Sequence, residues 1–407
     1  MNLVTDHSSR KIRFNKEHWL LIIGIMFIAS TLRSPLTSVG PVIADIRESL
    51  QIPNILAGFL TTIPLLAFAI ISPFVPRISR KFGMEITLFF SLCLLTVGII
   101  LRSSGTSAML IVGTFLLGSA IAFGNVLLPG LIKLNFPLHI GLITGIYSVS
   151  MNLSASIAAG VSVPIAYDTK FGWAGSLGVW AILAIVATII WLPQIKRRNK
   201  TNIPKTSKTA EKENLQLWRS PLAWAITFYM GLQSLIFYTT AAWLPDVLTT
   251  QGLSEHQAGW MLSVMQFSQM PMAFITPILA SKLANQRGLV IFITVLFLLG
   301  YGGVFFAWTS LIILWVFLIG IAGGAAFGVA MMFFTLRTHT PNEAAEMSGM
   351  AQSFGYILAA TGPVFFGFLN DVTGSWTLPL IVLFIAVIAL FLAGMKAGKN
   401  AFVTQKA

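Results

Sequence analysis

Residues 30–41, STLRSPLTSVGP, place an arginine, two prolines and five hydroxyl residues inside an apolar stretch that begins near Trp19. Arg33 lies 14 residues beyond Trp19, about 21 Å along a helix that rises 1.5 Å per residue. An arginine at that depth of a bilayer costs at least ~2.5–3.5 kcal/mol and normally faces a cavity or a partner. Its guanidinium stays charged and presents a rigid fork of donors, which suits a small planar anion. Pro35 removes a backbone hydrogen bond and frees the carbonyl near Thr31 unless hydroxyls or water take it up. An irregular, wet helix beside a fixed cation is a plausible anion site, with Thr37 and Ser38 as secondary contacts. In the competing reading, Arg33 reaches the outer interface or ties down helix ends.

Further polar side chains fall at similar depth in other apolar runs: Asn125, Tyr147, Asn152, Gln233, Tyr238, Gln266, Gln269, Gln352 and Tyr356. Gln266 with Gln269, and Gln352 with Tyr356, are three and four residues apart, so each pair shares a helix face. Apolar walls with a few converging polar groups are what a small-ligand cavity looks like. Interhelical hydrogen bonding is the competing use of such residues. Asp45 and Asp246 fall at the outer ends of two runs, where they are expected to cap helices or gate the mouth. His139, His256 and His339 lie near loops. No carboxylate or histidine is evident at mid-membrane, which disfavours a pump built on a buried acid.

These residues need helices to hold them. The chain has 407 residues, 56% hydrophobic and 10% charged, with mean hydropathy +0.83, whereas soluble domains carry roughly 25% charged residues. Apolar runs long enough to cross a ~30 Å hydrocarbon core recur near 19–43, 55–75, 84–103, 108–132, 139–166, 173–193, 221–245, 256–279, 288–307, 310–335, 343–369 and 375–395. The fold class is therefore all-α and polytopic, with twelve spans in two six-helix bundles, 1–193 and 219–407, joined by a polar linker at 194–218. Cys93 is the single cysteine, so no disulfide framework or cysteine metal cluster is expected.

The net charge of +13 does not point to nucleic acid, because the charges fall between apolar runs. Of the lysines and arginines, 22 fall on one side of the membrane and three (Arg47, Arg102 and Lys170) on the other, with Arg33 inside a span. By the positive-inside rule, both termini and the central linker are expected in the cytoplasm. The two halves also echo each other at a shift of 204 residues. AFG at 122–124 recurs at 326–328, Lys133 meets Arg337, Pro137 meets Pro341 and Gly145 meets Gly349. The shift sets Phe237 near the place of Arg33, so the cation has no counterpart, and one charge is expected to serve one anionic or electron-rich group. The glycine-rich stretches GTFLLGSAIAFG and GIAGGAAFG read as packing faces rather than binding residues.

The stretches TLRSPLTSVGPVIADI, AGFLTTIPLLAF, PFVPRISRKFGME, GNVLLPGLIKLNFP and GLQSLIFYTTAAWLP resemble the cyanate-permease-like branch of the major facilitator superfamily. That branch includes carriers associated with cyanate and with 2-nitroimidazole. The superfamily's loop pattern G-x-x-x-D-R-x-G-R-[RK] is altered here to SPFVPRISRK, with Ser72, Pro76 and Ser79 at the Gly, Asp and Gly positions. Arg77, Arg80 and Lys81 remain, to contact anionic lipid and neighbouring helix ends or simply to mark the cytoplasmic side. The resemblance implies alternating access between two half-bundles.

The expectation is a secondary transporter in the cell membrane for a small anionic or polarised planar solute, with Arg33 as its main contact. It is expected to act as a monomer without a cofactor, meeting membrane lipid and, for coupling, a proton or a counter-anion. The alternative is an efflux carrier for neutral aromatic or nitroheterocyclic compounds, with Arg33 structural. Metal-ligand spacing, a nucleotide-binding glycine loop and a nucleophile–base set are not found, which disfavours an enzyme.

Overall fold

The computed structural model describes residues 15–52, 54–196 and 216–404. Arg10, Lys11, Arg13, Lys406 and most of the basic central linker, whose charges carry much of the expected orientation, lie outside the described residues. Among those described, ten helices are long and apolar enough to cross a membrane, or eleven if one pair bent by 59° counts as a span. That pair joins the helix ending at Ile71 to Val75–Phe82. The remaining one is span eight, Glu255–Lys282, whose hydropathy is lowered by Gln266 and Gln269. Twelve spans result, close to the expected boundaries.

The first span departs from a simple rod. It runs as Lys16–Thr31, Ser34–Thr37, a 3-10 turn over Gly40–Val42, and Ile43–Leu50. Pro35 cannot donate to Thr31, and it biases the preceding backbone away from α, so the helix stops just before Arg33. Side chains take up the loosened backbone. The Ser30 carbonyl accepts from the Ser34 and Ser154 hydroxyls, both at 2.8 Å. Thr37 donates to the Ala155 carbonyl at 3.1 Å. Arg102, expected as a loop charge on the sparsely charged side, is instead only 1% exposed, and its Nη1 donates to the Pro35 carbonyl at 2.6 Å. Its long side chain folds inward to the kink rather than out to water.

The repeat is visible in how helices meet. Span four (Ser107–Asn135) lays Gly118 against Pro64 of span two. In the second half, span ten (Ile312–Leu336) lays Gly320 and Gly324, which flank the equivalent position Ala322, against Met265, Ser268 and Gln269 of span eight. Span five (Ile140–Asp168) crosses to the other half, with Gly141 and Gly145 on Pro277 and Phe274. Span eleven (Pro341–Thr373) crosses back, with Gly349 on Ser72 and Pro76. Small residues bring backbones together where no hydrophobic drive separates protein from lipid.

Outward faces are apolar, with Phe90 64% and Ile182 63% exposed, as lipid-facing helices require. The described hydrogen bonds between halves gather toward the end that carries Lys133 and Arg80, here called the basic end. Lys133 Nζ donates to the Thr335 carbonyl at 2.7 Å and to the Thr338 hydroxyl and carbonyl, a positive charge set on the C-terminal end of span ten. Arg80 pairs with Glu346. Ser353 donates to the Ala69 carbonyl at 2.6 Å.

Candidate functional site

Arg33 sits at the break of the first span, half-buried, as the residue preceding the short helix Ser34–Thr37. Its Cζ lies 5.2 Å from the ring centre of Phe237 and 5.7 Å from that of Phe327. The residue that the repeat places opposite Arg33 is therefore stacked on it from the other half. Among the described residues the guanidinium makes no hydrogen bond and no ion pair. Two aromatic rings lie within cation–π range of the charge, and its N–H donors have no protein acceptor among the described residues.

Two clefts meet at this cation. One is bounded by Asn152 of span five, Gln233 and Ser234 of span seven (Pro221–Thr250), Gln269 and Ala273 of span eight, and Gly323 and Gly324 of span ten. The other is bounded by Leu36, Phe68, Asn125, Tyr147, Met151, Met331 and Gln352. Arg33, Tyr238, Phe327 and Tyr356 border both. Phe68 and Tyr356 meet across the halves at the second cleft, with ring centres 4.9 Å apart.

Three of the amides around the cation are already committed on one side. Asn152 Nδ2 donates to the Ser148 carbonyl at 2.8 Å, and Gln233 Nε2 to Ser234 Oγ at 2.6 Å. Gln352 Nε2 crosses the halves to the Asn125 carbonyl at 2.8 Å and also meets Ser348 Oγ at 2.9 Å.

The structure thus gathers Arg33, Asn125, Tyr147, Asn152, Gln233, Tyr238, Gln269, Gln352 and Tyr356 around one space. It does not bring in Gln266, which is exposed and borders neither cleft, nor Thr37, whose hydroxyl is spent on Ala155 and on its own helix. Asp45 accepts from the Tyr167 hydroxyl at 2.7 Å, joining the end of the first span to span five. Asp246 is exposed within span seven, four residues before its end. Of the three loop cations, Arg80 forms the cross-half ion pair, whereas Arg77 and Lys81 are exposed.

Phe327 and Ser234 were not singled out by sequence reasoning. Phe327 had a visible signal, the AFG that repeats at 122–124, but an aromatic in an apolar run looks like any lipid-facing ring. The expectation that GIAGGAAFG serves packing needs one correction. A side chain on Gly324 would strike the Gln269 carbonyl, but one on Gly323 would meet only the Gln269 side chain, 3.7 Å away or more, and Gly323 borders the cleft.

Comparison with known proteins agrees with this architecture. The sequence profile of the Major Facilitator Superfamily matches residues 20–363 and 232–400. The uncharacterized transporter YycB of Bacillus subtilis (strain 168) is 43% identical over 386 residues, 95% of each chain. The 2-nitroimidazole transporter of Escherichia coli (strain K12) is 38% identical over 385 residues, 95% of this chain and 97% of its own. The solved structure of the proton:xylose symporter XylE has a TM-score of 0.75 at 13% identity, covering 96% of this chain and 98% of its own. That distant likeness speaks to fold, and the close relatives speak to family. The chain belongs to the major facilitator superfamily, as a multi-pass membrane transporter of small molecules rather than an enzyme.

Proposed function

We propose that the protein is a secondary carrier for a small, singly anionic or strongly polarised planar solute, held at Arg33 between the two halves. One observation carries this reading: a guanidinium at mid-membrane depth borders two clefts and has no protein counter-charge among the described residues. An intramembrane cation left unpaired is expensive, and it is normally retained where a partner visits. A single cation flanked by rings fits one delocalised negative charge better than a dicarboxylate or a phosphorylated substrate, which draws two or more cations. The name of the 2-nitroimidazole relative, a planar ring with a polar nitro group, is in keeping with a solute of that shape.

Transport proceeds by rocking of residues 1–193 against 219–407 about the linker 194–218, with both termini and the basic end in the cytoplasm. The described hydrogen bonds between halves gather toward the basic end, which supports a state that receives solute from the opposite side. With no mid-membrane acid to carry a proton, coupling falls to the solute, the site water or a counter-anion.

The test is a thermal-shift panel on purified protein with cyanate, nitrate, nitrite, small carboxylates and nitroimidazoles. Arg33→Ala and Arg33→Lys are expected to abolish the solute-induced shift while the unliganded protein still folds. Unchanged binding by either variant overturns the assignment. The second reading, export of neutral heterocycles stacked on Phe237 and Phe327, rests on those two rings. It is supported instead if uncharged heterocycles bind and Arg33→Ala leaves them unaffected.

A further inference from the structure

Three of the five amides that border the two clefts share an orientation that sharpens the solute's chemistry. A backbone carbonyl can only accept, so the amide group facing it must be NH2. Asn152 turns its NH2 to the Ser148 carbonyl, and Gln352 turns its own to the Asn125 carbonyl. Gln233 Nε2 meets both Ser234 Oγ and the Met230 sulfur, at 2.6 and 3.3 Å, and sulfur is likewise an acceptor. Gln233 and Gln352 spend both N–H donors on the protein and Asn152 spends one, and among the described residues the three carbonyl oxygens accept nothing. For Gln352 this is acute: the residue is 1% exposed and its Oε1 is a buried acceptor without a donor. A buried unsatisfied acceptor is costly, and a ligand that supplies the donor recovers that cost.

We propose that Gln352 in one cleft, and Asn152 and Gln233 in the other, offer a set of acceptor oxygens, an acceptor wall, to a solute held at Arg33, and that this set selects solutes carrying an N–H or O–H donor. The inference rests on the Arg33 site proposed above and narrows its solute class. The preferred solute is a planar ring with one anionic or strongly electron-rich group for the guanidinium and one donor hydrogen for the amide oxygens. Bare oxyanions such as nitrate, and cyanate likewise, offer acceptors only, and they set oxygen or nitrogen against the oxygen wall. The hydroxyls of Tyr147, Tyr238 and Tyr356 can donate or accept, so they serve either class and do not discriminate. Because Gln352 Nε2 also bridges the two halves, a solute bound at its oxygen touches a bond that must break when the basic end opens.

The experiment uses matched pairs that differ by one methyl group on the donor: 2-nitroimidazole against 1-methyl-2-nitroimidazole, and 4-hydroxybenzoate against 4-methoxybenzoate. Affinity is read by thermal shift or calorimetry on the purified full chain. Wild type is expected to favour the donor-bearing member of a pair at least tenfold, a measurement that requires no variant. Gln352→Met and Asn152→Leu are each expected to shrink that ratio to within about threefold. Equal binding of the two members by wild type, or a ratio unchanged in both variants, overturns the acceptor wall. Arg33→Ala, run beside them, separates the two claims. If it abolishes binding while the pairs are bound equally, only the acceptor wall falls. If binding survives it, the site itself falls, and if no probe binds wild type, both fall.

Discussion

At the scale of single residues, the telling relation is between Arg33 and Phe237. Sequence symmetry set them at equivalent places in the two halves, and the fold stacks one on the other at 5.2 Å. The cation's singularity was legible from sequence, because one arginine in a run of apolar residues stands out. The rings that cover it were not, since nothing in a primary sequence says which phenylalanines face protein and which face lipid. Glycines at contacts behave in the same way. A side chain on Gly113 would collide with the backbone of Arg102, and one on Gly98 with that of Leu117. Gly113→Val is expected to lower stability by about 1–3 kcal/mol through overpacking, seen as a reduced unfolding temperature in detergent. A lipid-facing change such as Ile182→Val, at a side chain 63% exposed, serves as the near-neutral control.

At the scale of elements, the first span shows how a break is both caused and contained. Pro35 explains why the helix stops, and it was readable in STLRSPLTSVGP. The partners that make the break tolerable come from span three, through Arg102, and from span five, through Ser154 and the Ala155 carbonyl. No local pattern announces them. The Ser30 carbonyl has two hydroxyl donors, Ser34 and Ser154, so either one alone keeps it satisfied. Ser34→Ala and Ser154→Ala are each expected to cost about 0.5–1.5 kcal/mol, and the double variant more than their sum. A double-mutant cycle on thermal unfolding checks this, and strict additivity would show that the two hydroxyls act independently. Span eight illustrates the opposite difficulty. Its glutamines depress its hydropathy because one of them, Gln269, faces the cleft, so the feature that weakens the span in sequence is the one that builds the site.

At the scale of the whole molecule, span five packs on span eight across the halves, and span eleven packs on spans two and four. Near the basic end the joint carries polar bonds, among them Arg80 with Glu346, whose side chains are 22% and 9% exposed. Opening that end must break them. Glu346→Gln removes an ion pair worth about 1 kcal/mol and is expected to shift the balance toward the other state about fivefold. With Cys93→Ser as background and Ser348→Cys as reporter, a soluble maleimide should label several times faster in the Glu346→Gln variant. Ser348 is fully buried between the halves in this state, so an unchanged rate would show that the pair does not hold the end shut.

The sequence by itself determined the class, the twelve spans, the internal repeat and the exceptional cation. Each follows from local composition or from a fixed shift, because a bilayer imposes its length and polarity on every span. Only the tertiary structure decided which polar residues meet. Gln269 and Gln266 lie on one helix face, yet only Gln269 borders the cleft. Arg102 counts as a surface charge in the sequence, yet it is buried on a carbonyl at the break of the first span. Which side chains converge depends on helix rotation and on contacts between residues more than a hundred positions apart, and periodicity within a span carries no information about either.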